Sequence, residues 1–322
     1  MNLLFLRGQV PSDRPASQIA FTKLSACDDM WTQLAYALLC DNDYGEIWYE
    51  KGNRITRYAD NFIERWVSRY ANTRCMFRPD VVFARGGFGF QLEEAKAHKK
   101  AFKIYYGAGE RVIPKPGQPW DLVLADTMEQ YDRIEQAGYS PLMFIKPAAE
   151  NIFHPVKNVV EAKRYDVIFV ANWNPNANKG FRFLLPVLRD AGIKTLHVGV
   201  GKPKWPAAYP NVDFVGWQRR HLLPAYYFMA KVAVVWATGK DSCPRVIPEA
   251  MASGCPVLVS RNTKLWHKKY ITPKTGCLAS KEDFLKVLQD MLGRWRAFDS
   301  RKHYEDNLSI AVSAENIRKA IR

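Results

Sequence analysis

Short apolar runs alternate with amphipathic stretches along this chain, and the alternation begins a second time after residue 164. In the first half the strand candidates are LLFL (3–6), EIWYE (46–50), DVVFA (80–84), FKIYY (102–106), DLVLA (121–125) and PLMFI (141–145). Several are uninterrupted apolar runs, which a strand needs when its sheet is covered on both faces. Helical stretches are expected between them near 27–40, 59–72, 91–101 and 126–138. Such strand–helix alternation builds a parallel, doubly wound sheet.

In the second half YDVIFVA (165–171) is a strand, followed by a helix from about Lys179 to Ala191. KTLHVGV (194–200), VDFVG (212–216), KVAVVWA (231–237) and CPVLVS (255–260) are further strands, and helices are expected at 280–293 and about 309–321. The polar stretch ENIFHPVKNVVEAKR (150–164) carries Pro155 and no strand signal, so it reads as a linker. A chain of 322 residues accommodates two domains of about 150 residues each. The expected fold is α/β, with two Rossmann-like doubly wound domains, 1–154 and 155–322, facing a central cleft. The terminal helix crosses back to the first domain. Ligands of such open sheets bind beyond the carboxyl ends of the strands, so functional residues are expected on loops that follow strands.

Residue patterns argue against several chemistries. The six cysteines are scattered with no C-x-x-C pair, which suits reduced thiols in the cytoplasm. The six histidines never stand at metal-ligand spacing with a Cys or a carboxylate, so no metal site is expected. The opening MNLLFLRGQV has too short an apolar run for a signal peptide, and no run approaches the roughly 18 apolar residues of a spanning helix. Charge is distributed unevenly. Residues 1–154 hold 19 basic and 19 acidic side chains, so the whole net charge of +15 falls in 155–322, which holds 28 and 13. A one-sided excess suits an anionic ligand or polymer; a solvated basic surface is the alternative.

The most informative loop is DSCPRVIPEAMASGCPVLVS (241–260). A polar segment after the strand KVAVVWA leads into a helix starting near Arg245 to Ile247 and containing Glu249. Ala250, Ala252 and Gly254 are small, which lets that helix sit close against the sheet. A helix N-terminus offers free N–H groups and partial positive charge, suited to a diphosphate. Glu249 is placed to accept two hydrogen bonds from a ribose diol, and Asp241 to reach a sugar hydroxyl. The alternative is that Glu249 is a favourable first-turn acid and nothing more.

This segment resembles the donor-binding domain of GT-B glycosyltransferases of the group 1, family 4-like type, whose pattern is an acid, seven residues, Glu, then A-M-A-x-G-x-P-V. The resemblance extends over roughly residues 100–295, through VIFVANWNPNANKGFRFLLPVL, VDFVGWQRRHLLPAYYFMAKVAVVWAT, WDLVLADTMEQYDRIEQAG and FIKPAAENIFHPV. It implies transfer of a sugar from a nucleoside diphosphate sugar, most simply a UDP-sugar, with retention of configuration and no obligatory cofactor or metal. By resemblance Glu249 holds the ribose, Lys179 of NKG neutralises the diphosphate, and the turn at Gly216 faces the nucleobase. Asp241 stands where the family has Glu. Ser242, Trp217 and Asn172 are the further donor contacts it implies. The family's glycine inside the motif is replaced by Pro244, which removes an N–H, and Arg245 is placed to compensate with its guanidinium. The arginine expected before the K-G pair is missing near Asn172 and Trp173. No histidine follows KIYY, where GAGER stands, so none is assigned a catalytic role. Asp241, Lys179 and Arg245 are the residues expected to act in catalysis.

The first domain carries weaker signals. Arg7 and Gly8 follow the first strand, and Arg85 and Gly86 follow the strand at 80–84; all four are acceptor-side candidates. ARGGFGF does not satisfy G-x-G-x-x-G. DND (41–43) reads as a polar turn. For the acceptor, RNTKLWHKKYITPK (261–274) and RWRAFDSRKH (294–303) interleave cations with aromatics, which suits a nucleic-acid backbone and unstacked bases. Lys264, Lys268 and Lys269 are the expected contacts. The chain thus resembles phage enzymes that glycosylate hydroxymethylated bases in DNA, so DNA is the favoured partner beside the donor. A saccharide or lipid acceptor, or an inactive sugar-nucleotide- or nucleic-acid-binding protein, are the alternatives.

Overall fold

A computed structural model of the chain describes residues 1–7, 29–39, 43–49, 55–59, 62–66, 77–86, 89–107, 112–144, 146–156, 163–173, 179–237, 244–263 and 270–322. The chain divides into two compact units, Met1–Phe144 with Ile310–Arg322, and Ile145–Ser309.

The first unit holds an eight-stranded sheet. Its elements are β1 (Leu3–Arg7), α1 (Met30–Ala37), β2 (Gly45–Tyr49), β3 (Ile55–Ala59), β4 (Phe62–Trp66), β5 (Val81–Arg85), α2 (Phe90–Ala97), β6 (Phe102–Tyr106), β7 (Leu122–Ala125), α3 (Met128–Gln136) and β8 (Pro141–Met143). The spatial order is β3-β4-β2-β1-β5-β6-β7-β8. Every adjacent pair is parallel except β3 with β4. Leu3 to Leu6 are all fully buried and Val81 to Ala84 nearly so, as expected for central parallel strands covered on both faces. Phe5 and Phe83 stack across β1 and β5 with centroids 4.5 Å apart. Side-chain caps set two helix starts: Asp29 Oδ2 accepts from Thr32 N at 2.9 Å, and Thr127 Oγ1 accepts from Gln130 N at 3.1 Å.

One expectation fails here. The stretch 59–72 was expected to be helical, but Phe62–Trp66 is a strand that pairs parallel with β2 and antiparallel with β3. FIERW spaces its apolar residues in a way that fits a helix face as well as a strand. Its β-branched and aromatic content matches a sheet surface, and the neighbour already offered by β2 decides between the two.

The second unit contains β9 (Tyr165–Val170), α4 (Phe181–Asp190), β10 (Thr195–Val198), β11 (Val212–Phe214), α5 (Leu223–Phe228), β12 (Ala230–Val235), α6 (Val246–Ala252), β13 (Val257–Ser260) and β14 (Gly276–Ala279). Helices Phe284–Gly293 and Ser300–Asn307 follow, and Ile310–Ile321 belongs to the first unit. The six strands are all parallel, in the order β11-β10-β9-β12-β13-β14. Its core joins Phe169, Phe181, Leu184, Trp236, Leu258, Phe284 and Leu288 across the sheet and two covering helices.

Candidate functional site

From β9 the second unit runs through α4 to β10 and on to β11 on one side; β12, β13 and β14 lie on the other side of β9. Chain direction across the sheet therefore reverses between β9 and β12. The carboxyl ends of these two strands flank a switch point, the expected ligand position of an open parallel sheet. The described residues that follow them, 171–173 with 179–180 and 236–237 with 244–245, belong to the two segments singled out by sequence.

The turn before α4 is fixed by a close approach. Gly180 caps the helix in the left-handed conformation, φ 70°. A Cβ there would lie 2.9 Å from Trp236 Cβ and Cγ and closer still to Cδ1. Trp236 is buried immediately after β12 and packs against Phe183 and Phe284. Lys179, half-buried and one residue ahead of Gly180, is thereby held beside the loop leaving β12. That loop is tied to the next one, since Thr263 Oγ1 donates to Ala237 O at 2.7 Å. On the other side, Asn172 Oδ1 accepts from Val200 N at 3.0 Å, and Gly199 N donates to Gly216 O at 2.9 Å. Three successive loops are thus joined. Gly216 has φ 71°, and the Trp217 side chain beyond it is 61% exposed.

Glu249 lies in the first turns of α6, a helix buried from Ile247 to Ala252. Ala250 and Ala252 are fully buried, so these two let the helix pack closely, whereas Gly254 is exposed with open space around it. Gly254, with φ 80°, and the bond from Cys255 N to Ala250 O at 2.9 Å end it. The Glu249 side chain is only 6% exposed, and Arg220 Nη2 donates to its Oε1 at 2.8 Å. The Arg220 guanidinium also lies 5.3 Å from the Phe153 ring centroid. Burial and then the Glu249 charge push the Tyr227 hydroxyl well above its ordinary pKa, with Arg220 opposing. Arg245, at the helix start, is exposed, and Pro244 is buried. Asp241 and Ser242 lie outside the described residues, as do Gly8, Lys264, Lys268 and Lys269.

In the first unit the direction reverses between β1 and β5. Arg7 and Arg85 are register partners at the carboxyl ends of these strands, and Gly86, φ 80°, follows Arg85. The Arg85 guanidinium lies 4.9 Å from the Trp31 ring centroid. Nearby strand ends carry a pair that sequence reasoning did not name: the Tyr106 hydroxyl donates to the buried Asp126 carboxylate at 2.9 Å.

Arg220 was also missed. The adjacent arginines of GWQRRHLL were visible, but only the one-turn 3-10 helix Arg220–Leu222 selects which of them reaches Glu249. His197 is a core histidine: it is buried, its Nε2 lies 2.8 Å from Ala171 O, and burial lowers its pKa while that contact opposes the shift. Among the described residues no group of three His, Cys, Asp or Glu side chains is placed to hold a metal, and no helix is long and apolar enough to cross a membrane.

Residues 164–294 match the family model for glycosyl transferases group 1, which covers β9 through the helix Phe284–Gly293. No protein in a curated sequence set matches the chain. Among solved structures it is similar to a sucrose-phosphate synthase from Thermosynechococcus elongatus, with TM-score 0.70, 14% identity, and 99% of this chain and 98% of that one covered. It is also similar to Anabaena HepE in complex with UDP, with TM-score 0.65, 12% identity, and 100% and 99% covered. For α,α-trehalose 6-phosphate synthase from Burkholderia multivorans the values are 0.60, 12%, 100% and 96%. The fold is that of GT-B glycosyltransferases, over the full chain.

Proposed function

We propose that this glycosyltransferase moves a sugar from a UDP-sugar to an acceptor hydroxyl with retention of anomeric configuration. The observation that carries the reading is Glu249, a nearly buried carboxylate just inside α6, beside the switch point of the sheet in the segment matching group 1 glycosyltransferases. The structure of HepE in complex with UDP supports UDP as the nucleotide. In this reading Glu249 accepts from the ribose hydroxyls, the Gly216 backbone and Trp217 meet the base, and Asn172 and Ser242 complete the donor site. Asp241 orients the sugar.

The bond that breaks joins the sugar's anomeric carbon to the diphosphate oxygen, and its electron pair leaves with the diphosphate. Lys179 and Arg245 stabilise that developing charge, which lowers the barrier only to the extent that they bind the leaving diphosphate more tightly than the intact donor. The acceptor oxygen bonds to the anomeric carbon on the face the diphosphate leaves, and its proton passes to the departing diphosphate oxygen. No obligatory cofactor, metal or protein nucleophile enters the scheme. The unit Ile145–Ser309 forms the donor part and the unit Met1–Phe144 with Ile310–Arg322 the acceptor part, in place of the sequence boundary at 154/155, and Arg7, Gly8, Arg85 and Gly86 are the proposed acceptor-side residues. The scattered cysteines support a cytoplasmic setting, that of the host cell if the protein is viral.

The proposed acceptor is a hydroxymethylated base in DNA. Its support is the +15 excess confined to 155–322 and the cations around Trp295, with Arg296 at 4.3 Å and Lys163 at 5.1 Å from the ring centroid. Lys264, Lys268 and Lys269 are the further backbone contacts proposed from the sequence. A saccharide acceptor is the second reading, favoured by neighbours named as sucrose-phosphate and trehalose 6-phosphate synthases. Intact-mass analysis of hydroxymethylated DNA after incubation with a panel of nucleotide sugars separates them. A mass gain of one sugar per modified base supports the DNA acceptor. Transfer only to a saccharide or lipid rejects it. Absence of both transfer and slow donor hydrolysis rejects the enzyme reading.

A further inference from the structure

We infer that Arg220 is a positioning residue for the donor: it fixes the Glu249 carboxylate in the orientation that takes the ribose, and links that carboxylate to the turn at Gly216. The inference rests on the donor site proposed above.

A carboxylate this buried is costly unless it is paired and hydrogen-bonded. Arg220 supplies the pairing cation, and it does so at one oxygen only, Nη2 to Oε1 at 2.8 Å. Among the described residues no side chain bonds Oε2, so that oxygen keeps its acceptor capacity for a ligand hydroxyl. The guanidinium is itself held, with its carbon 5.3 Å from the centroid of Phe153, a fully buried ring. A planar cation fixed over a ring loses little further freedom when it binds a carboxylate. Its backbone position matters as well. Arg220 opens the 3-10 turn four residues after Gly216, whose φ of 71° shapes the loop leaving β11. One side chain therefore spans from the loop expected to face the base to the carboxylate expected to face the ribose. A donor meets both ends already set relative to one another, so less ordering is left for the moment of binding.

The test is a ligand cycle with UDP and 2′,3′-dideoxy-UDP on the full chain, by titration calorimetry. Arg220→Ala should weaken UDP by about ten- to a hundredfold and leave dideoxy-UDP nearly unchanged, because that ligand has no hydroxyls for Glu249 to hold. Arg220→Lys, which keeps the charge but not the plane, should recover part of the loss and melt at the wild-type temperature. In turnover the defect should appear as a raised donor KM with kcat retained at saturation. Equal loss for both ligands, or unchanged UDP affinity in Arg220→Ala while Glu249→Ala is impaired, overturns the inference and leaves the donor site standing. Unchanged UDP affinity in Glu249→Ala overturns both.

Discussion

Gly180 and Trp236 approach so closely that no side chain fits between them, and this contact holds the Lys179 turn against the strand that leads into the Glu249 loop. Gly180→Ala should therefore destabilise the protein by about 2–4 kcal/mol, from the left-handed backbone and the overlap with the ring together. Gly192, at φ 63° with open space around it, is the control. Gly192→Ala should lose only the backbone part, about 1–2 kcal/mol. Urea denaturation of the two variants reads the difference; equal midpoints would mean that the Trp236 contact relaxes at no cost.

Lys179 is expected to act on charge that appears as the diphosphate departs. Lys179→Ala should lower kcat by about a hundredfold while the melting temperature stays near wild type. A folded variant with full turnover would remove Lys179 from the mechanism and leave Arg245 as the cation to examine.

Stability should fall on mild acidification, partly because of His197. Burial holds this imidazole below its ordinary pKa, so between the native and unfolded values the unfolded chain binds the extra proton. Its contribution is fully present above about pH 6.5 and is lost as pH falls below that value. His197→Gln should thus flatten the decline in unfolding free energy between pH 7 and 5, by at most about 1.4 kcal/mol per pH unit. Parallel curves for wild type and variant would show that His197 titrates alike in both states.

The sequence carried most of the sheet because its central strands are buried on both faces. Runs such as LLFL and DVVFA are short and apolar with polar flanks, which favours buried strands over helices, and β1, β5 and β6 stand where they were expected. Glu249 was singled out through the resemblance of DSCPRVIPEAMASGCPV to the group 1 pattern; the small residues of EAMASG spoke only for the packing of its helix. β3 and β4 were not legible. ITRYA and FIERW mix charged with apolar residues; the edge of β2 takes FIERW as a strand, and FIERW in turn takes ITRYA. The short β14, GCLA, lacked length for the same judgement. Arg220 and Trp236 were hidden for a different reason: each acts on a residue far from it in sequence, and local spacing does not encode which loops meet.

The central claim is that Glu249 holds the ribose of a nucleoside diphosphate at the switch point of the second sheet. Calorimetric titration of UDP into wild type and Glu249→Ala tests it directly, with folding checked by thermal melting. Loss of a charged hydrogen-bond acceptor should weaken UDP by about 1.5–3 kcal/mol, close to ten- to a hundredfold in Kd. A folded Glu249→Ala that binds UDP and every other nucleoside diphosphate as tightly as wild type would contradict the account.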